Sequence, residues 1–75
     1  MTRLPRASAE DVLRALQRDG WRIARQKGSH AQLVHPAKPG HVTVAIHSRG
    51  TIRPRTLLSI LEQAGLTVGE LRRLL

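Results

Sequence analysis

The chain contains no cysteine, phenylalanine or tyrosine, and only one tryptophan. Without thiols there can be no disulfide and no thiolate metal site, and nothing points to an oxidising compartment. Without Phe or Tyr, a sheet built from this chain lacks the aromatic platform on which RRM domains stack bases. No apolar run approaches the ~18 residues of a membrane span. The start, Met1-Thr2-Arg3-Leu4-Pro5-Arg6, has no apolar segment of the signal-peptide kind. Neither a membrane anchor nor a secretory signal is therefore expected, and the chain reads as cytoplasmic. The scarcest charge is negative: five acids stand against 13 Lys and Arg, for a net charge of +8. From Gly20 to Leu61 there is no Asp or Glu, while Arg22, Arg25, Lys27, Lys38, Arg49, Arg53 and Arg55 all fall in that stretch.

A chain of 75 residues makes one domain with one thin core. At this size about 60% of the unfolded surface is buried, which leaves no room for a deep cofactor cavity. A hydrophobic share of 40% is enough for a globular fold. The strong positive balance selects polyanionic partners, nucleic acid above all.

Ser8 is a good N-cap, with Asp11 three residues on in a capping-box arrangement. Ala9, Val12, Leu13 and Leu16 mark one face of a helix over 9–19, which Gly20 ends. Alternation over 21–26 predicts a strand with Trp21 and Ile23 buried on one side and Arg22 and Ala24 on the other. Lys27-Gly28 is read as a tight turn. A second strand over 29–35 turns Ala31 and Leu33 inward and His30, Gln32 and Val34 to the opposite side. After a loop of two prolines and a glycine, a third strand over 41–46 directs Val42, Val44 and Ile46 inward. Ser48-Arg49-Gly50 turns the chain again. Pro54 suits the first position of a helix whose apolar face is Leu57, Ile60, Leu61 and Ala64, with Gly65 at its end. Thr67 and Glu70 form a second capping box before a short helix with Val68, Leu71 and Leu74 apolar. The expected fold is α+β, in the order α-β-β-β-α. It is a three-stranded antiparallel sheet with two helices on one face, plus a short C-terminal helix. This is the layout of double-stranded RNA-binding domains, and it leaves the other face of the sheet open to solvent.

On that open face the pattern places His30 and Gln32, with Arg22 and Ala24 from the neighbouring strand and Lys27 beside them. Gly28 allows close approach of a ligand or backbone, and Ser29 offers a hydroxyl and an N–H. An imidazole among fixed cations suits RNA phosphodiester cleavage. A base deprotonates the ribose 2′-OH, cations stabilise the charge gathering at phosphorus, and an acid protonates the leaving 5′-oxygen. The same surroundings repel a metal ion, so no metal or cofactor is expected. Arg53 and Arg55 flank the start of the second long helix, where the macrodipole favours anions, so a phosphate is the natural occupant. His35, before Pro36, reads as solvated. His41 opens the third strand, and His47, at its end, is a candidate for a second role. Trp21 reads as core.

Several segments carry a resemblance. Asp19-Gly20-Trp21, Arg25-Gln26-Lys27-Gly28-Ser29-His30, His35-Pro36, Val42-Thr43-Val44 and the run from Thr56 to Gly65 resemble the HicA toxin family over about residues 8–66. The resemblance implies a double-stranded RNA-binding-domain fold and a small ribonuclease that cleaves mRNA and arrests growth. It also implies that the catalytic histidine is that of the Gly-Ser-His motif, which here is His30. Beside the resemblance, the residues themselves suggest that Gly28 and Ser29 shape the turn and that Lys27 and Arg25 hold phosphate, although strict alternation turns Arg25 inward. The implied partner is a HicB-type antitoxin that covers the active face and brings any DNA contact indirectly. Ala31 stands where the family often has a second histidine, Leu33 where it often has an aromatic, and Ala45 where proline is common. Residues 67–75 extend beyond the usual end, and nothing is carried onto them. Two other readings stand beside this one: a non-catalytic RNA-binding module of the same fold, and an interaction protein whose basic face binds only an acidic antitoxin.

Overall fold

The computed structural model describes residues 3–46 and 50–75. His47, and Ser48 and Arg49 of the expected turn, lie outside the described residues. The elements are α1 (Ala9–Arg18), β1 (Arg22–Lys27), β2 (His30–Val34), β3 (Val42–Ala45), α2 (Pro54–Ala64) and α3 (Val68–Leu74). The strands form one antiparallel sheet in the order β1-β2-β3. The expected α+β architecture is therefore present, with one sheet face covered by helices and the other open. No helix among the described residues is long and apolar enough to cross a membrane.

Both short-range helix starts form as their sequences dictate. The Ser8 hydroxyl accepts the Asp11 N–H at 3.1 Å, while the Asp11 carboxylate accepts the Ser8 N–H at 3.2 Å. Thr67 and Glu70 repeat the exchange at 3.1 and 2.9 Å. The backbone N–H of Ser8 and then its hydroxyl hold the Asp11 carboxyl below its ordinary pKa, and Thr67 does the same for Glu70. A carboxyl whose pKa is depressed on folding contributes stability above its unfolded value and loses it as pH falls through the folded one. We therefore expect both helix starts to loosen as pH drops below about 4. Amide exchange at the first turn of α1 should show the change, and Asp11→Asn should remove that acid dependence for α1 alone.

The core is assembled from Val12, Ala15 and Leu16 of α1, Ala31 and Leu33 of β2, Val42 and Val44 of β3, and the Leu57-Ile60-Leu61-Ala64 stripe of α2. Leu71 of α3 is fully buried and Trp21 nearly so. In α1, Ala15 takes the place expected for Leu13, which is only partly buried. This follows from the helix facing both β3 and α3, a wider arc than one sheet contact requires.

Strand β1 departs from expectation. All six of its residues are exposed, and Ile23 keeps 40% of its surface. Both α1 and α2 lie against β3, so β1 overhangs at the sheet edge with neither face covered. Trp21 is buried just before the strand rather than within it. The expected alternation is also broken. Arg22 pairs with Val34 and Ile23 with Leu33, but the ladder then resumes with Arg25 opposite Gln32, Gln26 opposite Ala31 and Lys27 opposite His30. Ala24 is the extra residue of a β-bulge. Downstream of it the parity reverses, so Gln26 shares the helix side with Ala31, and Arg25 faces the open side. The hairpin loop is Gly28-Ser29 rather than Lys27-Gly28. Gly28 has φ 58° and no described non-glycine has positive φ, which matches a two-residue loop with glycine first.

His35 is half-buried, and both of its ring nitrogens are hydrogen-bonded. Its Nδ1 accepts the Ala37 N–H at 2.9 Å, which puts the ring proton on Nε2, and Nε2 donates to the Asp19 carbonyl at 2.7 Å. Its ring meets Trp21 edge-on at 5.2 Å. The Asp19 carboxylate in turn accepts the Trp21 indole N–H at 3.2 Å and the Lys38 ammonium at 2.7 Å. Lys38 also donates to the Ala64 carbonyl at 3.1 Å. One acid thus joins the end of α1, the entry to β1, the exit from β2, the proline loop and the end of α2. The Asp19-Gly20-Trp21 and His35-Pro36 segments are the two halves of this junction.

Candidate nucleic-acid site on the open sheet face

The register places side chains on the open face in cross-strand rows. One row is Arg25, Gln32 and Thr43, and the next is Lys27, His30 and Ala45. Neighbours within a row stand about 4.8 Å apart, the spacing of adjacent strands. The rows lie two residues apart along each strand, about 6.7 Å. A third row, Arg22 and Val34, continues toward the far end of the sheet. Arg25, Lys27, His30, Gln32 and Thr43 line one shallow depression of about 260 Å³.

Each member arrives there for a local reason. The Gly28-Ser29 loop closes the hairpin so that Lys27 and His30 become direct partners. The bulge at Ala24 brings Arg25 opposite Gln32 in place of the alanine expected there. Val42 and Val44 anchor β3 in the core, which turns Thr43 outward. Thr43 was not singled out from the sequence, yet the alternation of β3 and an antiparallel register with β2 imply its position. Gln63 of α2 accepts the Thr43 N–H at 3.2 Å, fixing β3 from its outer edge.

His30 is exposed. Among the described residues, the ion pairs form at Arg14 and Lys38, so Arg22, Arg25 and Lys27 face solvent with no carboxylate partner. Their field is left for an outside anion. Among the described residues, no three His, Cys, Asp or Glu side chains come together, and one imidazole among cations is not a donor set for a metal ion.

The remaining candidates are dispersed. Arg53 is the N-cap of α2, makes no side-chain capping bond and borders a second groove on the other side of β3. Arg55 is exposed one residue into the helix and lines neither concavity.

A three-stranded antiparallel sheet backed by helices on one face and open on the other is the α+β architecture of double-stranded RNA-binding domains. The chain belongs to the HicA toxin family: the family model described as the HicA toxin of bacterial toxin–antitoxin systems matches residues 9–66. The protein is thus a toxin of a toxin–antitoxin system. The matched span includes all of the open face and ends before α3. Comparison with curated proteins finds no match.

Proposed function

We propose that the toxin is a metal-independent endoribonuclease that cleaves mRNA at the open face, with His30 as its catalytic group. The observation that carries this reading is the row Lys27–His30 beside the row Arg25–Gln32, with Arg25, Lys27 and His30 exposed and no carboxylate paired to them among the described residues. The imidazole acts as general base toward the 2′-OH or as acid toward the leaving 5′-oxygen. Lys27 and Arg25 hold the phosphate and stabilise charge as the pentacoordinate phosphorus forms. Gln32 donates a further hydrogen bond, and Gly28 and Ser29 fix the turn that sets Lys27 against His30. Arg22 extends the phosphate path along β1, and Arg53 and Arg55 meet flanking phosphates beyond β3. An antitoxin of the HicB type neutralises the toxin in the cytoplasm by covering this cationic face.

The mechanism requires the ribose hydroxyl. An RNA carrying 2′-deoxyribose at the cut site alone should resist cleavage while binding with unchanged affinity. Continued cutting of that substrate rejects the mechanism.

The exposed cations Arg22, Arg25 and Lys27 favour a second reading, a non-catalytic RNA-binding module, because phosphate contacts alone hold RNA. That reading expects His30→Ala to leave both RNA affinity and toxicity unaltered.

A further inference from the structure

The two cross-strand rows do not end at β3. On its outer side lies a groove of about 350 Å³, bordered by Thr43, Ala45, Thr51, Arg53, Thr56 and Ile60. Thr43 borders both this groove and the His30 depression, so the two concavities are neighbours across β3. Ala45, the cross-strand partner of His30, forms part of the groove wall. The groove wall therefore stands one strand spacing, about 4.8 Å, from the His30 backbone.

We propose that this groove is a second nucleotide subsite, which seats the unpaired nucleotide adjacent to the scissile bond. The inference rests on the nuclease reading and adds a substrate class to it, single-stranded RNA. Its lining matches one nucleotide chemically. Three threonine hydroxyls can both donate to phosphate oxygens and accept from a 2′-OH. The Arg53 guanidinium presents a fork to a phosphate. Ile52 and Ile60, both buried, make an apolar floor for a sugar or base face. No acid borders the groove to repel phosphate. A duplex cannot follow this path, because it would have to wrap around the edge of β3. Duplex RNA is read across its broad minor groove and outer phosphates.

The test is a length series of single-site oligoribonucleotides, read as the ratio of kcat/KM for long to shortest substrate. Wild-type protein should show a rise of about tenfold when the groove-side nucleotide is added, the worth of one charge-assisted contact. Annealing a complementary strand should abolish that rise. Thr56→Trp, which fills the groove from an exposed helix position, should bring the ratio to about one. Thr51→Val, which removes a hydroxyl and keeps the shape, should lower it partway. A wild-type ratio near one overturns the subsite while leaving the nuclease reading intact. If the protein cuts no RNA, the nuclease reading fails separately. The same series is then followed by fluorescence anisotropy, and affinity that does not grow with the groove-side nucleotide, or grows equally in Thr56→Trp, overturns the subsite. The subsite is also overturned if Thr56→Trp keeps the length dependence but loses the antitoxin, because the groove is then a protein interface.

Discussion

His30→Ala is expected to lower the rate of RNA cleavage by about 10²–10⁴, the contribution typical of a positioned proton-transfer group. The fold should not notice the change. The His30 side chain is exposed and stands outside the core cluster, and β2 is held through its backbone ladder and through Ala31 and Leu33. Surface substitutions of this kind stay within about 0.5 kcal/mol. The measurement therefore pairs a single-turnover cleavage assay with a thermal melt, and growth arrest on induction provides the cellular counterpart. Unchanged cleavage by a protein with an unchanged melt removes His30 from the mechanism. Loss of cleavage together with loss of folding would show a structural role that the exposed ring gives no reason to expect.

The second large effect is on stability. Gly20→Ala is expected to cost about 2–4 kcal/mol, from backbone strain and a lost hydrogen bond together. Gly20 has φ 107°, a region closed to side-chain-bearing residues, and an added Cβ would lie 2.7 Å from His35 Nε2. That nitrogen cannot retreat freely, because it donates to the Asp19 carbonyl while the other side of the ring accepts from Ala37. The alanine thus breaks the bond that ties β2 to the end of α1. A chain of this length has roughly 4–11 kcal/mol in all. The melting temperature should accordingly fall by roughly 10–30 °C. The double variant Gly20→Ala/His35→Ala separates the two causes: it relieves the collision but keeps the strain, so it should recover part of the loss relative to the two single changes added together. A Gly20→Ala protein that melts like the parent would show that the close approach does not exist.

Much of this architecture was legible in the residues. The two capping boxes, the Leu57-Ile60-Leu61-Ala64 stripe and the inward Ala31, Leu33, Val42 and Val44 depend on contacts a few residues apart or on simple alternation, which sequence expresses directly. His30 and Gln32 on the open side followed from the same alternation. The errors fall where a distant part of the chain decides the outcome. Ile23 has the character of a buried strand residue, but its burial depends on where the helices settle, and they settle over β3. His35 looks like a strand-end histidine until Asp19, sixteen positions earlier, is brought beneath it. The charge of Arg25 suits it to phosphate, but strict alternation turns it inward. The bulge reconciles the two, and nothing in the local run Ile23-Ala24-Arg25 marks which residue will be left out of the ladder. Thr43 was missed because a lone threonine between valines carries no chemical signal until its cross-strand neighbour is known.

The unpaired Ala24 gives the cationic surface an arithmetic basis. Arg22, Arg25 and Lys27 share one side of the sheet because Ala24 is left out of the ladder. Paired opposite Gln32, it would take that side together with Gln26 and turn Arg25 and Lys27 toward the helices. Deleting it would keep the three cations outward, because they would then alternate regularly. The character of the surface is therefore held by a count as well as by identities: an even number of laddered steps separates these cations, and any change that draws Ala24 into the ladder makes that number odd.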